Sequence, residues 1–166
     1  MSTVASRDPM RRALRELLRG EGAHVPLDAA LAGLPAHLRG TRPDGLPYAV
    51  WELVEHMRIG QEDLVAYTLG ADHDSPPWPE GYWPAPRDPV PDETWEPSLR
   101  GLRTSLAEME GWLDDPSFDL LADIPHSDAL PDGGRRTPMR QIVIAADHLA
   151  YHVGQIVVIR RALGAW

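Results

Sequence analysis

His148 and His152 stand four residues apart in DHLAYHVGQIVVIRRALG, and His56 stands far upstream in WELVEHMRIGQEDL. At 3.6 residues per turn, side chains at i and i+4 leave a helix on the same face. Two imidazoles so placed can reach one ion, with a third supplied by a facing helix. Neutral imidazole suits zinc, nickel, iron or copper, whereas magnesium and calcium take oxygen ligands. Three nitrogens leave such an ion coordinatively open, which distinguishes a catalytic site from a structural one. Seven histidines in 166 residues produce about 0.3 pairs at this spacing by chance, so the spacing is a weak motif by itself.

The elements that must carry these residues are helical. Asp8-Pro9 reads as a cap and first helical position, followed by a stripe of Met10, Leu14, Leu17 and Leu18. Leu27, Leu31 and Leu34 suggest a short helical turn before Pro35, Pro43 and Gly45 break the pattern. Helical spacing of Val50, Leu53, Val54, Met57, Leu64 and Val65 predicts a second long helix from about Pro47 to Leu69. On it, Leu53, His56, Gly60 and Leu64 share a face, and Gly60 leaves room for a close neighbour. A third helix is predicted from a Thr94 cap, with Pro97 in its first turn, to Asp115-Pro116. A fourth runs from a Thr137-Pro138 start to about Leu163. Its apolar residues, including Ile142, Val143, Val153, Ile156, Val158 and Ile159, cannot all face one stripe, so this helix is either central or shared with a second subunit.

Between the second and third helices, seven of the 17 prolines fall from Pro76 to Pro91, beside Trp78, Tyr82 and Trp83. No helix is expected there. A disordered linker would be poor in aromatics, so the segment reads as an ordered loop that packs its rings. No period-two alternation or internal repeat occurs. The fold class is therefore all-α, a bundle of four main helices in one domain over 1–166. Its long connections mean that simple up-down-up-down order is not assured.

Composition narrows the function classes. A net charge of −9 disfavours a surface that neutralises phosphates, so no nucleic-acid partner is expected. The absence of cysteine excludes disulfides, thiolate ligands and a cysteine nucleophile. Any thiol chemistry needs an external thiol. The first twenty residues lack an apolar leader core, and the longest downstream apolar run is Ile142 to Ala146, so neither a signal peptide nor a membrane span is expected and the chain reads as cytoplasmic.

On helix four, Ile144, His148, Tyr151, His152, Gln155 and Ile159 share a face, which places both imidazoles in an apolar surround. An unpaired buried ring nitrogen costs about 1–3 kcal/mol, so inward imidazoles need partners. A shared ion satisfies all three; alternatively, three separate core histidines each bond a backbone carbonyl or Glu52, Gln61, Asp147 or Gln155. Chemistry alone leaves both open. If the ion is present, Glu52 and Gln155 are candidates to orient the rings, while Asp147 points elsewhere. His24, His37, His73 and His126 lie in weakly patterned stretches and receive no role.

The segment around His56, the aromatic-proline stretch WPEGYWP, and the closing DHLAYHVGQIVVIRRALG together resemble the DinB/YfiT-like superfamily of metal-dependent enzymes. The resemblance spans nearly the whole chain and matches His56, His148 and His152 to that family's metal triad. It implies a four-helix bundle of unusual helix order, a divalent ion (nickel or zinc, with iron an option) and a homodimer. It also implies a chemistry in which a low-molecular-weight thiol such as bacillithiol or mycothiol is transferred to a small electrophile. Two alternatives stand beside this reading. One is a hydrolase using metal-bound water with Glu52 as general base; the other is a non-enzymatic dimeric bundle that binds a small molecule.

Overall fold

A computed structural model of the protein describes residues 8–70 and 72–166. Residues 1–7, part of the segment expected to lack a leader, lie outside the described residues. Among the described residues five α-helices form: α1 (Pro9–Leu18), α2 (Leu27–Leu31), α3 (Val50–Leu69), α4 (Asp92–Asp114) and α5 (Pro138–Ala162). Among the described residues there is no strand, and the architecture is the all-α bundle expected.

Helix ends follow local chemistry. The Asp8 carboxylate accepts from the backbone N–H groups of Met10 and Arg11 at 2.9 and 3.4 Å, with Pro9 in the first helical position. Thr137 caps α5 in the same way, accepting from Arg140 N–H at 3.3 Å. α4 departs from expectation: it starts at Asp92, so Thr94 is not its cap and Pro97 sits in the second turn. Proline there removes one bond to the Glu93 carbonyl, and both residues are exposed, where water can replace the missing donor. Asp92 and Glu93 in the first turn meet the positive end of the helix dipole, which favours the earlier start.

The main contacts place α1 against α4 and α5, and α3 against the same two, so α4 and α5 occupy opposite corners of the bundle. Successive helices are thus not all neighbours, and the order differs from simple up-down-up-down. One core layer joins Leu53, Val54 and Met57 of α3 to Leu99 and Leu102 of α4 and Leu149, Val153 and Ile156 of α5. A second joins Leu14 and Leu18 of α1 to Met109 and Leu113 of α4 and Ile142 and Ala145 of α5. Each fully buried aliphatic side chain contributes about 1.5–3 kcal/mol, so these layers set the spacing between α3 and α5 more than helix propensity does.

α5 is long and apolar enough to cross a membrane. Its composition is explained by position, since it packs on α1, α2 and α3 and buries residues on several sides. Val143, Tyr151 and Val158 nevertheless remain exposed.

Candidate metal centre

His56 lies near the middle of α3, with His148 and His152 on the facing part of α5. The structure brings one ring nitrogen from each within 4.8 Å of the others. His148 Nε2 is 3.0 Å from His56 Nε2 and 3.0 Å from His152 Nε2. Two imidazole nitrogens at about 2.1 Å from a common ion are separated by about 3.0–3.4 Å, depending on the angle between them. The observed spacing fits that range.

Tautomers sharpen the picture. His56 Nδ1 lies 2.7 Å from the Tyr82 carbonyl oxygen, which can only accept, so the ring proton sits on Nδ1 and Nε2 carries a lone pair. His152 Nδ1 lies 2.6 Å from Gln155 Oε1, with the same consequence. Two lone pairs therefore face His148 Nε2. Without an ion, a single N–H on His148 must serve both. An ion accepts all three lone pairs at once, and a ligating histidine ordinarily donates its other ring N–H to such an oxygen. The donor set fits a divalent transition metal, and these three histidines could hold one.

Burial keeps the site unprotonated. It lowers His148 to about 4, helped by the neighbouring His152 and His56. Burial likewise lowers His152 to about 4, against the opposing Gln155 hydrogen bond. His56 is lowered by burial and partly restored by its bond to Tyr82. At neutral pH, protons do not compete for these nitrogens.

The proline-rich loop is ordered and packs on the site. Trp83 lies flat on the His56 ring, with centroids 3.8 Å apart and planes within 3°, and its other stacked neighbour is Tyr48 at 4.4 Å. Tyr82 uses its backbone on His56 and its hydroxyl on Asp63 Oδ2, at 2.7 Å. Burial and this carboxylate push the Tyr82 phenol up to about 12, so it stays a donor. A short 3-10 turn, Glu80–Tyr82, provides the bend that sequence periodicity did not anticipate. Trp78 is 77% exposed and meets the Tyr82 ring edge-on, with centroids 5.4 Å apart. Beside the triad is a cleft of about 290 Å³, whose walls include His56, His148, Leu64, Ile144, Trp78 and Asp63.

Of the two residues expected to orient the rings, Gln155 does so and Glu52 does not. Glu52 sits in the first turn of α3, accepts from the Ala49 N–H at 2.9 Å and is held by both arms of the Arg42 guanidinium. A carboxylate at this position satisfies a free N–H of the helix start, which draws it away from His56. Asp147 is exposed, as expected. Sequence reasoning missed Asp63 and His73, whose side chains meet at 2.8 Å. Asp63 follows His56 by seven residues, two turns along one face, and that spacing was the available signal.

No curated protein and no solved structure gives a significant match to the chain. A family model described as the DinB superfamily matches residues 21–156, a span that begins before α2 and contains the whole histidine triad. With most of its length matched and its helices arranged as an all-α bundle, the chain belongs to the DinB superfamily.

Proposed function

We propose that the protein is a metal-dependent enzyme in which His56, His148 and His152 ligate a divalent nickel or zinc ion. Its reaction would join a low-molecular-weight thiol to a small electrophile. The observation that supports this most is the convergence of three imidazole nitrogens, two of them with their protons committed elsewhere, beside an open cleft. A bound ion would supply Lewis acidity that favours the thiolate form of a thiol in the cleft.

The chain's own residues do the rest. His56 and His152 are held by Tyr82 and Gln155, so their lone pairs are oriented before any ligand arrives. Leu64, Ile144 and Trp78 give the cleft apolar walls that suit a compact electrophile. The chain has no cysteine, so the sulfur must come from a co-substrate. A cytoplasmic setting, where small thiols are kept reduced, matches that need. The hydrolytic alternative loses its named base, because Glu52 is tied to Arg42 and Ala49.

Untagged protein should copurify with close to one equivalent of nickel or zinc, and a His56→Ala, His148→Ala, His152→Ala variant with none. Turnover of a chromogenic electrophile should require both metal and added thiol. Equal metal in both proteins, or thiol-independent turnover, would refute the proposal. The exposed Val143, Tyr151 and Val158 on α5 also support a homodimer through this face. Light scattering at micromolar concentration tests that, and a strict monomer refutes it.

A further inference from the structure

We infer that Asp63 is a positioning residue for the histidine centre, acting through Tyr82 to fix the His56 ring; the inference rests on the metal reading proposed above. Asp63 projects from α3 two turns beyond His56, and its side chain is only 12% exposed. One carboxylate oxygen accepts from the Tyr82 hydroxyl at 2.7 Å, and the other is 2.8 Å from His73 Nε2. The carboxylate thus ties both the start and the middle of the loop to the helix that carries His56.

Two consecutive loop residues then act on different parts of one imidazole. The Tyr82 carbonyl accepts a hydrogen bond from His56 Nδ1–H at 2.7 Å, which leaves Nε2 as the inward lone pair. Trp83 lies parallel to the ring at 3.8 Å and sets its plane. Neither contact can form unless the backbone at 82 and 83 is held against α3. Besides the His56 bond itself, the Asp63 bond ties this pair of residues to that helix among the described residues, and it does so through the Tyr82 side chain. A histidine free to exchange tautomers presents the wrong nitrogen for part of the time, so weakening the anchor should weaken ligation without removing a ligand.

The test reads the ring directly, by nitrogen NMR of the histidine side chains in the metal-free full chain, alongside zinc affinity by competition with a chelator. Wild type should show His56 wholly protonated at Nδ1. Tyr82→Phe, which removes one oxygen and no packing, should give a mixture of tautomers and bind zinc about tenfold more weakly. Asp63→Ala should do the same, whereas Asp63→Asn, which still accepts from the Tyr82 hydroxyl, should restore both readouts. An unchanged His56 tautomer in Tyr82→Phe and Asp63→Ala would overturn the inference. So would a tautomer shift with undiminished zinc affinity. Failure of wild type to bind zinc would sink the metal reading instead, and the tautomer readout would still decide the role of Asp63.

Discussion

Two of the buried polar centres among the described residues are built on opposite principles. Arg11 of α1 is 8% exposed, and its guanidinium donates to the carbonyls of Trp112 at 2.8 Å, Asp115 at 2.9 Å and Phe118 at 2.6 Å. These belong to the end of α4 and the turn beyond it, where helical carbonyls lack partners and the helix dipole is negative. Donors there meet acceptors and the centre is closed. At the histidines the valences do not match: two Nε2 lone pairs point at one ring nitrogen of His148, which has at most one proton to give. The first arrangement is complete without a ligand, and the second is one that a metal ion could complete. A buried polar cluster therefore signals function by its unmatched valences rather than by its polarity.

The contrast is broken most severely at the closed centre. Arg11→Met leaves the buried Trp112 and Leu113 carbonyls and the part-buried Asp115 and Phe118 carbonyls without this donor and should lower unfolding free energy by about 4 kcal/mol, measured by urea denaturation. Metal affinity of the folded fraction should not change. At the open centre the pattern should invert. His148→Gln should shift apo stability by no more than about 1 kcal/mol yet weaken zinc binding by at least about 100-fold. If His148→Gln unfolded the protein while Arg11→Met were harmless, the assignment of the two centres would be reversed.

Acid should also separate them. His148 and His152 are lowered from 6.5 to about 4 in the folded chain, so below pH 6.5 the unfolded state takes up protons that the folded state does not. Stability from the neutral rings is therefore complete above pH 6.5 and is lost as the pH falls through about 4. Thermal melts of metal-free protein should decline across this window. Arg11→Met should decline in parallel from a lower start, because the lesion is independent, and His148→Gln should decline less. A smaller effect is expected at Gln155: Gln155→Leu frees the His152 Nδ1 proton and should cost about tenfold in zinc affinity.

How far each centre could be read from the sequence follows from the range of its interactions. The pairing of His148 with His152 was legible because both are local on one helix, and Gln155 because it lies three residues from His152; distant His56 joined them only by its place on the apolar face of another helix and by the family resemblance. The Asp8-Pro9 and Thr137-Pro138 starts were legible for the same reason. Arg11 was not, since its partners are about a hundred residues away and are backbone carbonyls, which every residue carries. Tyr82 was noticed for its ring, while its carbonyl is what touches His56. Glu52 was misplaced because helical spacing ranks it near His56, whereas the free N–H at Ala49 and the Arg42 guanidinium compete for it more strongly. Local patterns reveal which residues share a face; they do not reveal which loop returns to cover it.

Gly60 gives the smallest and most discriminating test of how tightly the open centre is packed. The sequence suggested that this glycine makes room for a neighbour, and the neighbour is the His148 ring. A β-carbon built at Gly60 would lie 3.6 Å from His148 Cε1, an ordinary van der Waals contact. At Gly101, by contrast, a β-carbon would come within 2.6 Å of Glu62 Oε1 and 2.9 Å of Arg58 Cδ, where α3 and α4 are tied together. Gly60→Ala should therefore gain about 0.5–1 kcal/mol from helix entropy with zinc affinity intact, while Gly101→Ala should gain less or lose stability as the Arg58 and Glu62 side chains move aside. A Gly60→Ala variant that loses zinc would mean that His148 must move into this space to ligate, and that the open centre is less pre-arranged than its tautomers imply.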